Sequence, residues 1–180
     1  MYKSKMNLKI WSLIGILVIA GWLLGSVTQS SAETKNYRVV AQFSRVEMFP
    51  VGDVEGHFIA MFEFRGLAFI EGEVAVYSGV AYGDFTKGVG PVHNYVKMIY
   101  EDGSTTVSKN QFNARIAPDG KVALYEDGKG EFIMGTGRFA GIKGSTSFKG
   151  KRITPLSPGL KETRGDMFVD GTMTYTLPPK

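Results

Sequence analysis

Much of the chain consists of short segments in which apolar and polar side chains alternate with the two-residue period of a β-strand. The last segment shows this pattern best. Mostly threonine and aspartate fill the positions between its apolar members, which are Met167, Val169, Met173, Tyr175 and Leu177. A strand with one buried and one solvated face produces this alternation. Other segments that predict strands lie at 37–48, 57–65, 74–82 and 96–100.

Turn sequences separate these segments. They include EDG at 101–103, PDG at 118–120 and DG at 127–128, in which Asp and Gly tolerate a positive φ angle. Glycine also occurs inside several predicted strands, where it marks the bulges and bends that small closed barrels need. We count eight or nine strands and find no segment with helical periodicity. The chain is therefore predicted to be all-β, as a single antiparallel barrel or sandwich.

Residues 1–32 have the composition of a secretory signal peptide. Lys3, Lys5 and Lys9 precede an apolar run at 10–24, and small residues end the segment at Ala32. An uncleaved membrane anchor is the alternative, but the run is shorter than the roughly 20 residues of a spanning helix. We predict cleavage after Ala32. One barrel domain, 33–180, would then be secreted or periplasmic, without stable membrane insertion.

The charge of the mature chain excludes some partners. The whole chain has 21 Lys and Arg against 17 Asp and Glu, and three of the lysines lie in the predicted leader. The remainder is nearly neutral and has no basic cluster, so no nucleic-acid partner is predicted. The chain has no cysteine. No disulfide can form, and the core alone must stabilise the exported fold.

The sequence GTGRFAGIKG at 135–144 matches a dinucleotide-binding pattern, but its context does not. Such a site needs a helix directly after the glycines and an acidic residue about 20 positions later, and neither is found. We interpret Gly135, Gly137, Gly141 and Gly144 as structural glycines at a barrel corner, with Phe139 filling the core. No cofactor is predicted.

The same run, together with KGVGPV at 87–92 and EDG at 101–103, resembles the allene oxide cyclase barrel-like superfamily. That group includes plant dirigent proteins, allene oxide cyclases and uncharacterised exported bacterial proteins. The resemblance extends from about Phe62 to Leu177. It implies an eight-stranded antiparallel β-barrel with a central apolar cavity, and it leaves a homo-oligomer open. The catalytic residues of the plant enzymes do not map onto a local motif here.

Several polar side chains are candidates for contacts inside such a barrel. Glu63 and Arg65 lie two residues apart, so on a strand they share a face, either as a polar pair in the lumen or as a solvated surface pair. The further ligand-binding candidates are Tyr77, Tyr82, His93 and Tyr95. Carboxylates and an imidazole also alternate at Asp53, Glu55 and His57. Flanking glycines favour a solvated turn there, so no metal site is predicted.

The favoured function is an exported barrel that binds a small apolar or amphipathic molecule in its lumen. The first alternative is a cofactor-free cyclase or isomerase acting on a hydrophobic substrate. The second is a structural or interaction protein with a filled barrel. A hollow lumen favours the first two functions, and a packed lumen favours the third.

Overall fold

The computed structural model describes residues 31–155 and 165–179. It contains eight strands and, between β6 and β7, one turn of 3-10 helix at Gly137–Phe139. The strands are β1 Glu33–Pro50, β2 His57–Ile70, β3 Glu73–Thr86, β4 Gly90–Tyr100, β5 Thr105–Ile116, β6 Ala123–Thr136, β7 Lys143–Arg152 and β8 Gly165–Thr176. All but the last two residues of the predicted signal peptide lie outside the described residues. In the described part, no helix is long and apolar enough to cross a membrane.

The eight strands form a closed antiparallel barrel. Each strand pairs with the next along the chain, and β8 pairs with β1, where Val39 lies opposite Val169. Closure removes the unpaired edges that an open sheet would present to other chains. The prediction of an all-β, eight-stranded antiparallel barrel is confirmed.

A bulge in β1 decides which of its side chains enter the barrel. Before the bulge the odd-numbered residues point inward, as the buried Val39 and Phe43 show. The register with β2 shifts between Phe43 and Arg45, which changes the parity. Beyond the shift Val46 and Met48 pack against the core. The bulge therefore supplies two apolar side chains to the half of the barrel described below.

The two ends of the barrel differ. The plugged end carries the β2–β3, β4–β5 and β6–β7 connections, and the cavity end carries the others. At the plugged end Phe139 is buried, with its ring centroid 4.6 Å from that of Tyr100 and 6.0 Å from that of Tyr175. Phe139 thus fills the core at a barrel corner, as the glycine-rich sequence suggested.

Glycines shape the connection that carries Phe139. Gly137 has a φ angle of +59°, and a Cβ atom there would collide with the hydroxyl of Ser104. The same hydroxyl accepts a hydrogen bond of 3.0 Å from the backbone N–H of Arg138. A Cβ atom at Gly135 would collide with the backbone oxygen of Phe139. Position 137 requires glycine because the β4–β5 and β6–β7 connections approach closely. Position 135 requires it because the β6–β7 connection folds back onto the end of its own strand.

A polar layer crosses the middle of the barrel. The Asn110 amide nitrogen donates to Oδ1 of Asn94 at 2.8 Å and to Oγ of Ser108 at 3.1 Å. The Asn110 amide oxygen accepts a hydrogen bond of 2.9 Å from the hydroxyl of Thr146. All four residues are buried. Mutual pairing offsets much of the cost of removing these groups from water.

Candidate functional site

The half of the barrel at the cavity end is hollow. It contains a partly open cavity of about 150 Å³, lined by residues from all eight strands. Aromatic rings make up much of the wall, and they belong to Phe43, Phe58, Phe62, Phe64, Tyr77, Phe85, Phe112, Tyr125 and Phe148. Small side chains leave the space between these rings, including the fully buried Ala60. A hollow apolar lumen is what a ligand-binding barrel needs.

The rings form two packed walls. On the β2–β3 side Phe58 and Phe85 stack with their centroids 5.2 Å apart. On the β5–β7 side Phe112 meets Tyr125 at 5.4 Å and Phe148 at 5.8 Å, both edge to face. Aromatic pairs in these geometries are held more rigidly than isolated rings. The cavity is therefore a preformed space with flat apolar surfaces.

Three neutral polar side chains line the same cavity. Burial raises the pKa values of the Tyr77 and Tyr125 hydroxyls above the ordinary range, so both remain protonated and can donate a hydrogen bond. The third side chain is Asn94, whose oxygen already accepts from Asn110. Its amide nitrogen is the atom that remains to donate. These groups offer hydrogen bonds to a ligand without adding a negative charge.

Arg152 brings a cation to the wall. It is the last residue of β7, only 6% exposed, and its Nε–H donates to the backbone oxygen of Thr154 at 2.9 Å. Glycine at 165 makes room for it, because a Cβ atom there would lie 2.9 Å from the guanidinium carbon. In the described part of the wall Arg152 is the one charged side chain.

Glu63 and Arg65 lie on the outer face of β2, and this corrects their candidate placement in the lumen. Both are exposed, and Glu63 is 3.6 Å from the guanidinium of Arg45 on the neighbouring strand. The residues of β2 that line the cavity are Phe58, Ala60, Phe62 and Phe64. Both faces of this strand carry apolar residues, so the two-residue period separates the faces without showing which one points inward.

The other candidates divide in the same way. Tyr77 lines the cavity, next to Phe64 at a centroid distance of 5.5 Å. Tyr82 is half exposed and stacks on His93 across β3 and β4 at 5.3 Å, on the outer face of the barrel. Tyr95 is also exposed there. The structure thus brings one of the six candidate side chains, Tyr77, to the cavity.

His57 lies at the cavity end, between two carboxylates. Its Nδ1 is 2.5 Å from Oδ1 of Asp53, and its Nε2 is 2.8 Å from Oδ1 of Asp84. Glu55 takes no part in these contacts. Hydrogen bonds to Asp53 and Asp84 raise the pKa of His57, so the protonated ring donates to both. Within 31–155 and 165–179, no group of three or more His, Cys, Asp or Glu residues is arranged to hold a metal ion.

Sequence reasoning missed Asn94, Tyr125 and Arg152. A signal was available for Asn94, because it occupies an inward position between Val92 and Val96, where the alternation calls for an apolar residue. A polar residue in a buried register is retained only when its hydrogen bonds are satisfied or when it serves a site. Arg152 gave no such signal, since it follows lysine and glycine residues that read as a loop.

The chain was compared with models of protein families, with curated proteins and with solved structures. None of the three comparisons found a match. The chemistry of the site therefore rests on the cavity itself: aromatic walls, neutral hydrogen-bond donors and one buried guanidinium.

Proposed function

We propose that the barrel binds a small apolar, ring-containing molecule in the cavity at its cavity end. The observation that carries this proposal is the space of about 150 Å³ between walls of aromatic rings. A cavity of similar size, engineered into the core of another protein and lined with apolar residues, holds one benzene molecule. Flat rings on two sides favour a flat guest, since stacked and edge-to-face contacts add to the hydrophobic gain.

The energetic cost of an empty space supports a binding role. Protein interiors are normally packed as densely as organic crystals, as the plugged end is around Phe139. At about 24 cal/mol per Å³ of cavity, an unfilled space of this size costs on the order of 3–4 kcal/mol. Larger side chains at Ala81 or Ala114, both on the wall, would remove that cost. A ligand that fills the space would offset it in their place.

The wall suits binding better than acid–base catalysis. A cyclase or isomerase needs a group that exchanges protons near neutral pH. The Tyr77 and Tyr125 hydroxyls have pKa values raised by burial, which makes them poor acids at that pH. They are better suited to fixing the orientation of a bound molecule. We therefore favour a binding protein over the enzyme that the same cavity would also accommodate.

Export and family membership belong to the same proposal. The leader-like segment 1–32 supports secretion or a periplasmic location. The eight-stranded antiparallel barrel and the glycine-shaped β6–β7 connection support membership of the allene oxide cyclase barrel-like group. Intact-mass measurement of the exported protein tests the first point. We expect Glu33 as the first residue, whereas recovery of the full chain in membranes would contradict cleavage.

Titration with a neutral ring compound tests binding. Toluene, added to protein purified from cells that express the full chain, should bind saturably near 1:1 and raise the melting temperature by mass action. Ala81→Leu should abolish binding by filling the space, because Ala81 lines the cavity. Val80→Leu is the matched control, since Val80 is 51% exposed on the outer face. Absence of saturable binding to the wild type would contradict the proposed function.

A further inference from the structure

We propose that the molecule bound in the cavity is an aromatic monocarboxylate, with its ring between the aromatic walls and its carboxylate at Arg152. This inference deepens the proposed function and rests on it. It concerns the chemical class of the ligand, which the apolar walls alone leave open.

Arg152 is a charged side chain inside the barrel. A guanidinium is costly to remove from water, yet Arg152 is buried and lines the cavity. Its backbone position opposite Met167 in the β7–β8 ladder directs it to the same face as that buried residue. Gly165 leaves the space that the guanidinium occupies. Two neighbouring strands are thus shaped to keep a cation inside the barrel.

The guanidinium of Arg152 supplies hydrogen-bond donors that suit a carboxylate. The planar guanidinium carries five N–H groups, and the Nε–H is directed to the backbone oxygen of Thr154. An arginine fork recognises a carboxylate better than any neutral group, because the hydrogen bonds are charge-assisted and can be paired. Arg152 makes other contacts of its own, and the proposal requires only that one terminal N–H reach the ligand.

The remaining wall is compatible with an anion. Besides Arg152, the polar side chains of the described wall are Asn94, Tyr77 and Tyr125, and each is a neutral donor. The charge of Arg152 also affects the Tyr125 hydroxyl. Burial raises the pKa of its hydroxyl, and the nearby guanidinium acts in the opposite direction. A carboxylate at Arg152 would therefore have a protonated phenol close by as a second donor.

The size of the cavity limits the rest of the ligand. About 150 Å³ holds one ring with a short acid group, such as benzoate or phenylacetate. A long acyl chain would have to displace the core at the plugged end, where Phe139 packs against Tyr100 and Tyr175. The polar layer of Asn110 and Asn94 also lies between that end and the cavity. Single-ring acids match the space that is present.

A calorimetric series at neutral pH tests the inference on the protein purified from cells that express the full chain. The probes are benzoate, phenylacetate, neutral benzyl alcohol, toluene and cationic benzylamine. We expect the two acids to bind at least about tenfold more tightly than benzyl alcohol, as one charge-assisted hydrogen bond to a buried guanidinium provides. Benzylamine should not bind. Equal affinity for benzoate and benzyl alcohol would overturn the inference while toluene binding left the proposed function intact.

A pair of variants assigns the preference to one side chain. Arg152→Gln should remove the tenfold preference for benzoate over benzyl alcohol, and toluene binding is measured on the same variant. Lys151→Gln removes the same charge from the adjacent, exposed position and should change neither. If Arg152→Gln does not fold, the comparison of benzoate with benzyl alcohol on the wild type decides alone. Failure of every probe, toluene included, would instead remove the proposed function together with the inference.

Discussion

The Nε2 atom of His57 lies 2.8 Å from Oδ1 of Asp84, and this contact joins the first residue of β2 to the end of β3 beside the cavity. On the other side of the ring, Nδ1 lies 2.5 Å from Asp53 in the β1–β2 connection. The imidazole side chain is only 17% exposed. The protonated ring can donate to both carboxylates at once, whereas a neutral ring can donate to only one. The cavity end is therefore held by a group whose hydrogen bonds depend on its protonation.

This arrangement predicts a pH-dependent stability. Hydrogen bonds to Asp53 and then to Asp84 raise the pKa of His57 above its ordinary value near 6.5. The stabilisation is therefore complete below about pH 6.5 and disappears as the pH rises through the raised pKa. The difference in melting temperature between the wild type and His57→Gln should shrink as the pH rises above about 6.5.

The second histidine of the chain provides the control for this prediction. His93 stacks on Tyr82 on the outer face and makes no comparable pair of carboxylate contacts among the described residues. His93→Gln therefore controls for the loss of an imidazole that does not bridge two carboxylates. A pH-independent difference for His57→Gln would show that the ring is not held in its charged form.

Steric contact at Gly137 predicts a second result. Gly137 and Gly120 both have positive φ angles, +59° and +71°, but a Cβ atom collides with Ser104 only at Gly137 and meets nothing within 4 Å at Gly120. Gly120→Ala should cost about 1–2 kcal/mol of unfolding free energy, the cost of the left-handed backbone alone. Gly137→Ala should cost roughly 2–4 kcal/mol, because the collision adds to it. Chemical denaturation measures both, and equal costs would rule out the close approach of the two connections.

Arg138 should stabilise the plugged end more than an ordinary surface arginine does. Its guanidinium lies 4.9 Å from the ring centroids of Tyr100 and Phe139 and 2.6 Å from Glu73. Arg138→Ala should cost about 1–2 kcal/mol, the sum of cation–π and ion-pair contributions at a partly covered site. Arg38 is the control, since it also pairs with a carboxylate, Asp170 at 2.9 Å, and lies 5.1 Å from the ring centroid of Phe168, but it is 62% exposed against 38% for Arg138. Arg38→Ala should cost less than about 1 kcal/mol. A lower melting temperature for Arg38→Ala than for Arg138→Ala would contradict this account.

The alternating pattern made the barrel predictable. It did not show which face of every strand lines the lumen, and this limited the prediction of the site residues. Alternation separated the two faces of β8 correctly, because the buried Met173 and Tyr175 alternate with threonines at 172, 174 and 176. In β2 it could not, because Met61 on the outer face is as apolar as Phe62 inside. The direction of a face depends on how β2 meets β1 and β3, which involves residues far apart in sequence.

Contacts between strands also explain why Arg152 and Asn94 could not be predicted as lumen residues from the sequence. Arg152 lies inside the barrel because Gly165, on another strand, leaves room for it. Asn94 lies inside because Asn110, from the neighbouring strand, satisfies its oxygen. Neither partner is adjacent in sequence. The period of a single strand shows which positions share a face, but the partner that makes a polar side chain tolerable in the core is brought close only by folding.

Asn110 is the centre of the polar layer, and its removal should destabilise the barrel. It contributes hydrogen bonds to Asn94, Ser108 and Thr146, all of which are buried. Asn110→Val leaves these groups without their shared partner, so the unfolding free energy should fall by roughly 2–4 kcal/mol. Gln111→Val is the matched control, because Gln111 is exposed on the opposite face of β5, and its effect should stay within about 0.5 kcal/mol.

The same pair of variants separates the stability of the barrel from binding in the cavity. The aromatic walls around Phe58 and Phe112 do not contain Asn110. Asn110→Val that still folds should therefore bind toluene with an affinity close to that of the wild type. Denaturation melts and toluene titrations on both variants provide the two measurements. Equal unfolding free energies for Asn110→Val and Gln111→Val would show that the polar layer contributes no net stability. The layer would then serve only to orient Asn94 at the cavity wall.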